Sequence, residues 1–441
     1  MEYNTQDKQV HTVNLAVCAS MKAFEEYFER SLNCRRTIIE AIRLKLRPYI
    51  QELAEREYAE TCMGNVRDKI IKLVMALDKT PGVEDLVSEV VTGDNGMTLH
   101  EQCPYGVTLA IYPATNPCAT MINNVIGMLA AGNSIINIPN PRCMETTEFL
   151  TEKISEAIEE VCGIKNLVLT LPEVRKELVT EIINHPDVAL VVATGGRKMM
   201  SEVLYSPKRV IAGGPANPVA IVDETADLAK AAKDITDGAS FDHNIMCISE
   251  KCIVAVESII PQFVEELKKN DVYYIDDEVE MLKITQTVFN QDMKMIRKME
   301  GKSADEILKE AGINANRHVR LVVIRTFAKH PLVLEECLMP VVPLVATKDF
   351  DEALETALFT EQCYRHTAMV HSQRIDRLSR AAKVMNTTLF IKNGSSLAGI
   401  GLNGEEKVSF TIANITGEGV TTARDFACKR SCTLTSGFSL R

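Results

Sequence analysis

From residue 107 onward the chain alternates short apolar runs with segments of helical pattern, and few architectures accept such an alternation. The runs Val107–Tyr112, Ile135–Ile138, Leu167–Thr170, Val188–Ala193 and Arg209–Ala212 are separated by helical patterns near 118–131, 144–161, 174–184 and 197–204. Strands that read as unbroken apolar runs are buried on both faces, and their alternation with helices signals a parallel sheet covered on each side. A second series follows, with strands at Val219–Val222, Cys252–Val256, Val319–Ile324, Val341–Ala346, Thr367–Val370 and Thr388–Ile391. Helices are expected near 225–239, 258–269, 304–311, 349–360 and 373–384, while 270–318 is charged and less regular. The fold class is therefore α/β, with two doubly wound parallel-sheet domains joined near Gly213–Pro218.

The flanks read differently. Residues 1–15 are polar and are expected to be poorly ordered. Helix is expected over 21–62, where Ile38, Ile39, Ile42, Leu46, Ile50 and Leu53 recur at three- and four-residue steps and Pro48 divides the run. A further helix is expected near 64–78, and TPGVEDL with TGDNG reads as loop. The last thirty residues form a polar, arginine-containing tail without core character. No apolar run approaches the roughly eighteen residues of a membrane span, so no membrane partner is expected. Sixty acidic against 49 basic side chains, a net charge of -11, argue against a nucleic-acid partner. Thirteen cysteines cannot all pair, none stands in a CxxC, and no metal site is read from them. The opening MEYNTQDKQV lacks the apolar core of a signal peptide, so a reducing cytoplasm is expected, with most thiols acting as small buried hydrophobes.

Ligands of open α/β sheets sit where loops leave the carboxyl ends of strands. There VTLAIY runs into Pro113-Ala114-Thr115-Asn116-Pro117. Thr115 and Asn116 are good helix caps, and an amide at that point can equally donate to an oxyanion. VALVVA runs into Thr194-Gly195-Gly196, where paired glycines let a ligand approach the backbone or simply make a tight turn. Cys247 lies in a helix-to-strand loop with His243 and Lys251 four residues to either side, and positive charge is what a thiolate needs. GIGLNG at 399–404 matches a dinucleotide fingerprint but neither follows the first strand nor opens a helix, so it is read as a structural loop.

Together with INN, LAAGNS, VDETADL, GASFD-x-N-x-x-C, LMP-x-x-P, VHSQ, IKNG and TGEG in this order, these pieces resemble the aldehyde dehydrogenase superfamily. They are most similar to its coenzyme-A-acylating branch from ethanolamine and propanediol utilisation. The resemblance implies the aldehyde dehydrogenase fold, with N-terminal helices and a dinucleotide-binding domain over 1–216, a catalytic domain over 217–412 and a C-terminal oligomerisation segment over 413–441. Residues near 92–106 would join that last element. It implies Cys247 as the nucleophile, and Asn116 with the Cys247 N–H as the oxyanion hole. Pro113, Thr115, Asn137, Ile138, Pro139, Thr194, Gly195, Gly196 and Gly214 would face the cofactor, and Glu336 would bind the nicotinamide ribose. NAD is the implied cofactor, with NADP as the alternative, and coenzyme A the co-substrate for a short aliphatic aldehyde.

Hydrolytic members of the superfamily carry a glutamate, acting as general base toward water, in a segment ending Gly-Gly-x-x-Pro. The matching stretch here, Ile211-Ala212-Gly213-Gly214-Pro215-Ala216-Asn217-Pro218, has no carboxylate. A thiol is more acidic than water and needs less help, so acyl transfer to coenzyme A is favoured over the free acid. The runners-up are a hydrolytic enzyme and a non-catalytic scaffold. Arg142, Arg197 and Lys198 depart from the family pattern by adding positive charge near the expected phosphates, and His243 with Ile245-Met246 alters the approach to the nucleophile. A homodimer or homotetramer is implied. Microcompartment association is the alternative to a free cytoplasmic enzyme, although the usual N-terminal targeting helix reads as absent.

Overall fold

The computed structural model describes residues 5–437. It divides into two compact units: one takes the chain up to Glu60, Lys72–Gly213 and everything from Lys407, the other Thr61–Ile71 and Gly214–Glu406. Helices α1 (Thr5–Phe28), α2 (Leu32–Leu46), α3 (Ile50–Thr61) and α4 (Val66–Lys79) come first. Pro48 sits in a 3-10 turn between α2 and α3, which divides the helical run as its missing N–H requires. The expected disorder of the N-terminus is corrected from Thr5 onward. Val13 and Val17, one helical turn apart, are fully buried against the first sheet, an apolar stripe too short to stand out among polar neighbours.

In the first unit β1 (Glu89–Gly93) and β2 (Gly96–Pro104) precede β3 (Val107–Ile111), α5 (Pro117–Ala131), β4 (Ser134–Ile138), α6 (Met144–Cys162), β5 (Val168–Thr170), α7 (Lys176–Asn184), β6 (Val188–Thr194), α8 (Arg197–Leu204) and β7 (Arg209–Gly213). The sheet order is β5-β4-β3-β6-β7, with every pair parallel. The chain winds outward from β3 to β5, then returns to β6 beside β3. Loops leaving β3 and β6 therefore diverge, and a crevice opens at their carboxyl ends. Residues 89–104, part of which reads as loop in the sequence, instead form an antiparallel hairpin across Asp94-Asn95. The strand Ala427–Thr435 pairs with β2 along its whole length.

The second unit holds β8 (Val219–Val222), α9 (Leu228–Ser240), β9 (Cys252–Val256), β10 (Val272–Ile275), β11 (Leu321–Thr326), β12 (Val341–Thr347), β13 (Thr367–His371) and β14 (Leu389–Lys392). Its order is β10-β11-β12-β9-β8-β13-β14, again all parallel. The irregular stretch near 270–318 contains β10 and a helix over Glu278–Val288, capped by Asp277. Among the described residues no helix is long and apolar enough to cross a membrane.

Candidate active site

Asn116 takes the N-cap position of α5, but its side chain makes no capping bond. The Cys118 N–H that such a cap would satisfy donates instead to Glu57 Oε2 at 3.3 Å. The Asn116 amide is thus released from the structural role its position suggests. Its Oδ1 accepts from the buried Lys72 ammonium at 2.5 Å, and its Nδ2 lies 3.3 Å from Thr115 Oγ1. Pro113 and Thr115 are half-buried in the same β3–α5 loop.

The neighbouring loops hold the other first-unit candidates. Asn137, Ile138 and Pro139 are buried at the carboxyl end of β4. Asn137 Oδ1 accepts from the Tyr112 hydroxyl at 2.7 Å, while its buried Nδ2 has no partner among the described residues. Thr194 ends β6, with its hydroxyl 3.1 Å from that of Thr411. The Gly195 N–H donates to Gly213 O, and Gly196 caps α8. A Cβ at Gly196 would meet nothing within 4 Å, so this loop faces open space. A polar acceptor-bearing ligand fits this edge: an orphaned buried amide donor, a helix N-terminus and an unobstructed glycine loop lie at the strand ends.

In the second unit the candidates do not follow strands; they precede them. Gly214 enters β8, Cys247 enters β9 and Glu336 enters β12. These strands are parallel neighbours, so the residues line the amino-terminal edge of the sheet. The first unit's candidates thus lie at carboxyl ends and the second unit's at amino ends, where the helix-to-strand loop read for Cys247 lies.

The loop before Cys247 is strained. Asp242, His243 and Asn244 all take positive φ, at 44°, 54° and 62°, which costs non-glycine residues roughly 1–3 kcal/mol each. Partners mostly distant in sequence hold it. Asp242 N–H donates to Asp68 Oδ2 at 2.8 Å, Asn65 N–H donates to Asp242 Oδ1 at 2.7 Å, and Lys69 pairs with the buried Asp242 carboxylate at 3.4 Å. His243 Nδ1 stands 2.9 Å from Gly301 O. Lys251 donates to the backbone oxygen of Asn244 and, at 2.5 Å, to its Oδ1.

Cys247 is half-buried as a residue, yet its thiol is desolvated. Burial first, and then the Glu336 carboxylate, push its pKa up to about 12, while Lys251 acts the other way. Lys251 itself is pulled down to about 8 by burial, against the charges of Glu336, Cys337 and Cys247. The Glu336 carboxylate also lies 3.5 Å from the Ala216 N–H. Two residues of this edge escape the sequence reading. His366, immediately before β13, is buried and pushed down to about 3 by burial and then by Lys251. Glu250 is fully buried and pushed up to about 7 by burial. His366 carries no local signal in sequence; only the parallel register brings it to the edge that Lys251 occupies.

Contrary to the expectation that most thiols are buried, most of the other cysteines are not. Only Cys118, Cys143, Cys252 and Cys337 are buried, while Cys18, Cys62, Cys363 and Cys432 are exposed and the rest intermediate. Cys18 lies on an outer face of α1, Cys62 and Cys363 follow helix ends, and Cys432 lies in the exposed C-terminal strand, so none of these four is covered by a parallel sheet and its helices.

Two doubly wound units, one with a crevice at β3 and β6 and one with a cysteine on a strained loop, define a class. The family model for the aldehyde dehydrogenase family matches residues 3–401, and the chain belongs to this family. It is 44% identical over 432 residues to a CoA-propanoylating propanal dehydrogenase of Salmonella typhimurium, covering 98% of this chain and 92% of that protein. Rhodopseudomonas palustris propionaldehyde dehydrogenase, solved with bound CoA and an acylated cysteine, is 38% identical with a TM-score of 0.94, covering 96% of this chain and 97% of that one. A propionaldehyde dehydrogenase from the Clostridium phytofermentans fucose utilisation bacterial microcompartment is also 38% identical, with a TM-score of 0.95 and coverage of 97% and 98%.

Proposed function

We propose that the protein is a coenzyme-A-acylating dehydrogenase of a short aliphatic aldehyde, with Cys247 as its nucleophile. One observation carries the choice of acceptor: the segment Gly213–Pro218 that enters β8 bears no carboxylate to activate water. The acylated cysteine and bound CoA of the Rhodopseudomonas relative support the same reading.

The Cys247 sulfur adds to the aldehyde carbonyl as its proton passes to solvent, giving the oxyanion of a hemithioacetal. Desolvation keeps the resting thiol protonated, so the ammonium of Lys251 supplies the opposing charge as thiolate forms. Asn116 Nδ2 and the Cys247 N–H donate to the oxyanion, each worth ~3–4 kcal/mol in the transition state. A nicotinamide dinucleotide would supply the acceptor for the hydride that leaves the hemithioacetal carbon. Pro113, Thr115, Asn137, Ile138, Pro139, Thr194, Gly195, Gly196 and Gly214 would hold it, with Glu336 on the ribose. The thioester left on Cys247 is attacked by the thiol of coenzyme A, which releases acyl-CoA and restores the cysteine.

The exposed outer strands of the three-stranded antiparallel sheet support a reading of self-association. All five residues of β1 are exposed, as are seven of the nine in the strand Ala427–Thr435, so both outer edges of this sheet are open to pairing. We assign it to a homodimer or homotetramer, in the cytoplasm or in a microcompartment like that of the Clostridium relative.

The test uses propanal with NAD or NADP, with and without coenzyme A, reading dinucleotide reduction and thioester together. Both are expected to depend on coenzyme A, and Cys247→Ala is expected to lose at least about a thousandfold in kcat. Free propanoate formed at an undiminished rate without coenzyme A overturns the acylating reading.

A further inference from the structure

We propose that Lys72 is a positioning residue for the oxyanion donor, acting through Asn116; this rests on the role given to Asn116 above. Lys72 is only 1% exposed and Asn116 6%, and the ammonium meets Asn116 Oδ1 at 2.5 Å. A lysine ammonium carries three donors and no acceptor. It therefore settles which end of the amide faces it: the oxygen must, and the NH2 must point away.

The arrangement is costly to build for packing alone. A buried ammonium loses its hydration, and an apolar side chain of similar size would fill the space without that penalty. The position of Asn116 also argues for a purpose. A side chain at the N-cap ordinarily accepts from the first turn of its helix, an arrangement that would turn its oxygen toward α5. Here Glu57 takes the Cys118 N–H, so the Asn116 oxygen remains available to Lys72. The remaining contact of the NH2, at 3.3 Å from Thr115 Oγ1, is long and leaves donor capacity for a ligand.

The consequence is twofold. The amide is fixed before substrate arrives, so no reorganisation is needed when charge develops on the carbonyl oxygen. The ammonium also polarises the amide through its oxygen, which makes the NH2 a stronger donor. Lys72 touches neither substrate nor the reacting atoms in this account.

The test is a double-mutant cycle of Lys72→Met and Asn116→Ala, assayed with propanal, coenzyme A and dinucleotide at saturation. Lys72→Met is expected to lower kcat about 30-fold with KM for propanal within about threefold, and Asn116→Ala about 100- to 1,000-fold. The double variant is expected to match Asn116→Ala alone, because the effect of Lys72 passes through the amide. Inactivation by iodoacetamide at Cys247 is expected to be unchanged in Lys72→Met, which separates a weakened oxyanion donor from a damaged nucleophile. Losses that multiply in the double variant, or an Asn116→Ala defect with no defect in Lys72→Met, overturn the proposal. An unchanged kcat in Asn116→Ala instead removes the underlying reading of Asn116. Should Lys72→Met fail to fold, Lys72→Arg and Lys72→Gln are compared: Arg is expected to keep at least about fivefold more kcat, and equal rates overturn the proposal.

Discussion

Cys247 carries two opposing influences that a sequence shows only in part. Lys251, four residues away, is visible in the chain, whereas Glu336 and the burial of the thiol are products of folding. The balance favours the thiol, whose pKa rises to about 12 through burial first and Glu336 second. Below a fixed pKa the thiolate fraction grows tenfold with each unit of pH. Alkylation of the resting protein by iodoacetamide should therefore climb between about pH 7 and 9 without levelling, by less than tenfold per unit because Lys251 loses its supporting charge near about pH 8. Glu336→Gln removes the negative charge, lowers the thiol pKa and should raise the rate at fixed pH several-fold. Stopped inactivation assays measure both, and a plateau below about pH 9, or a slower Glu336→Gln variant, contradicts this account.

Buried polar groups also fix how elements pack. Helix α9 ends just before the strained turn, and its Gly238 lies against the Glu250 carboxylate. A Cβ at that glycine would meet Glu250 Oε2 at 2.0 Å. The carboxylate cannot swing aside cheaply, because it accepts from the Ser396 N–H at 2.9 Å and the Ser396 hydroxyl at 2.7 Å. Helix propensity alone would credit Gly238→Ala with about 1 kcal/mol. Displacing a buried, hydrogen-bonded carboxylate should outweigh this, leaving a net loss of about 2–3 kcal/mol. Urea unfolding measures it, and a midpoint at or above that of the parent protein refutes the tight fit. The periodicity of α9 is plain in the sequence, but the need for glycine at one of its positions is not, since Glu250 and Ser396 meet it only in the fold.

The two parallel sheets were legible because a strand buried on both faces writes itself as an apolar run. The candidate site was legible by halves. Asn116 and Thr194–Gly196 follow strands, where an α/β fold is searched first, and the crevice beside β3 puts them there. Cys247, Glu336 and His366 precede strands, and only the order β12-β9-β8-β13 gathers their loops on one edge. The antiparallel sheet was the least legible part, since a strand exposed on both faces has no apolar rhythm to read. Its pairing with β2 runs from Ala427↔Pro104 to Thr435↔Gly96. Nine paired residues, seven of them exposed, are a long edge for a single copy to leave open. A second copy of the chain would cover it. Ending the chain at Phe426 removes the strand while sparing both parallel sheets. Light scattering should then report a smaller assembly than the full chain forms, with far-UV circular dichroism nearly unchanged. An assembly of undiminished subunit number would place the interface elsewhere and leave the C-terminal strand as a cover for β2 alone.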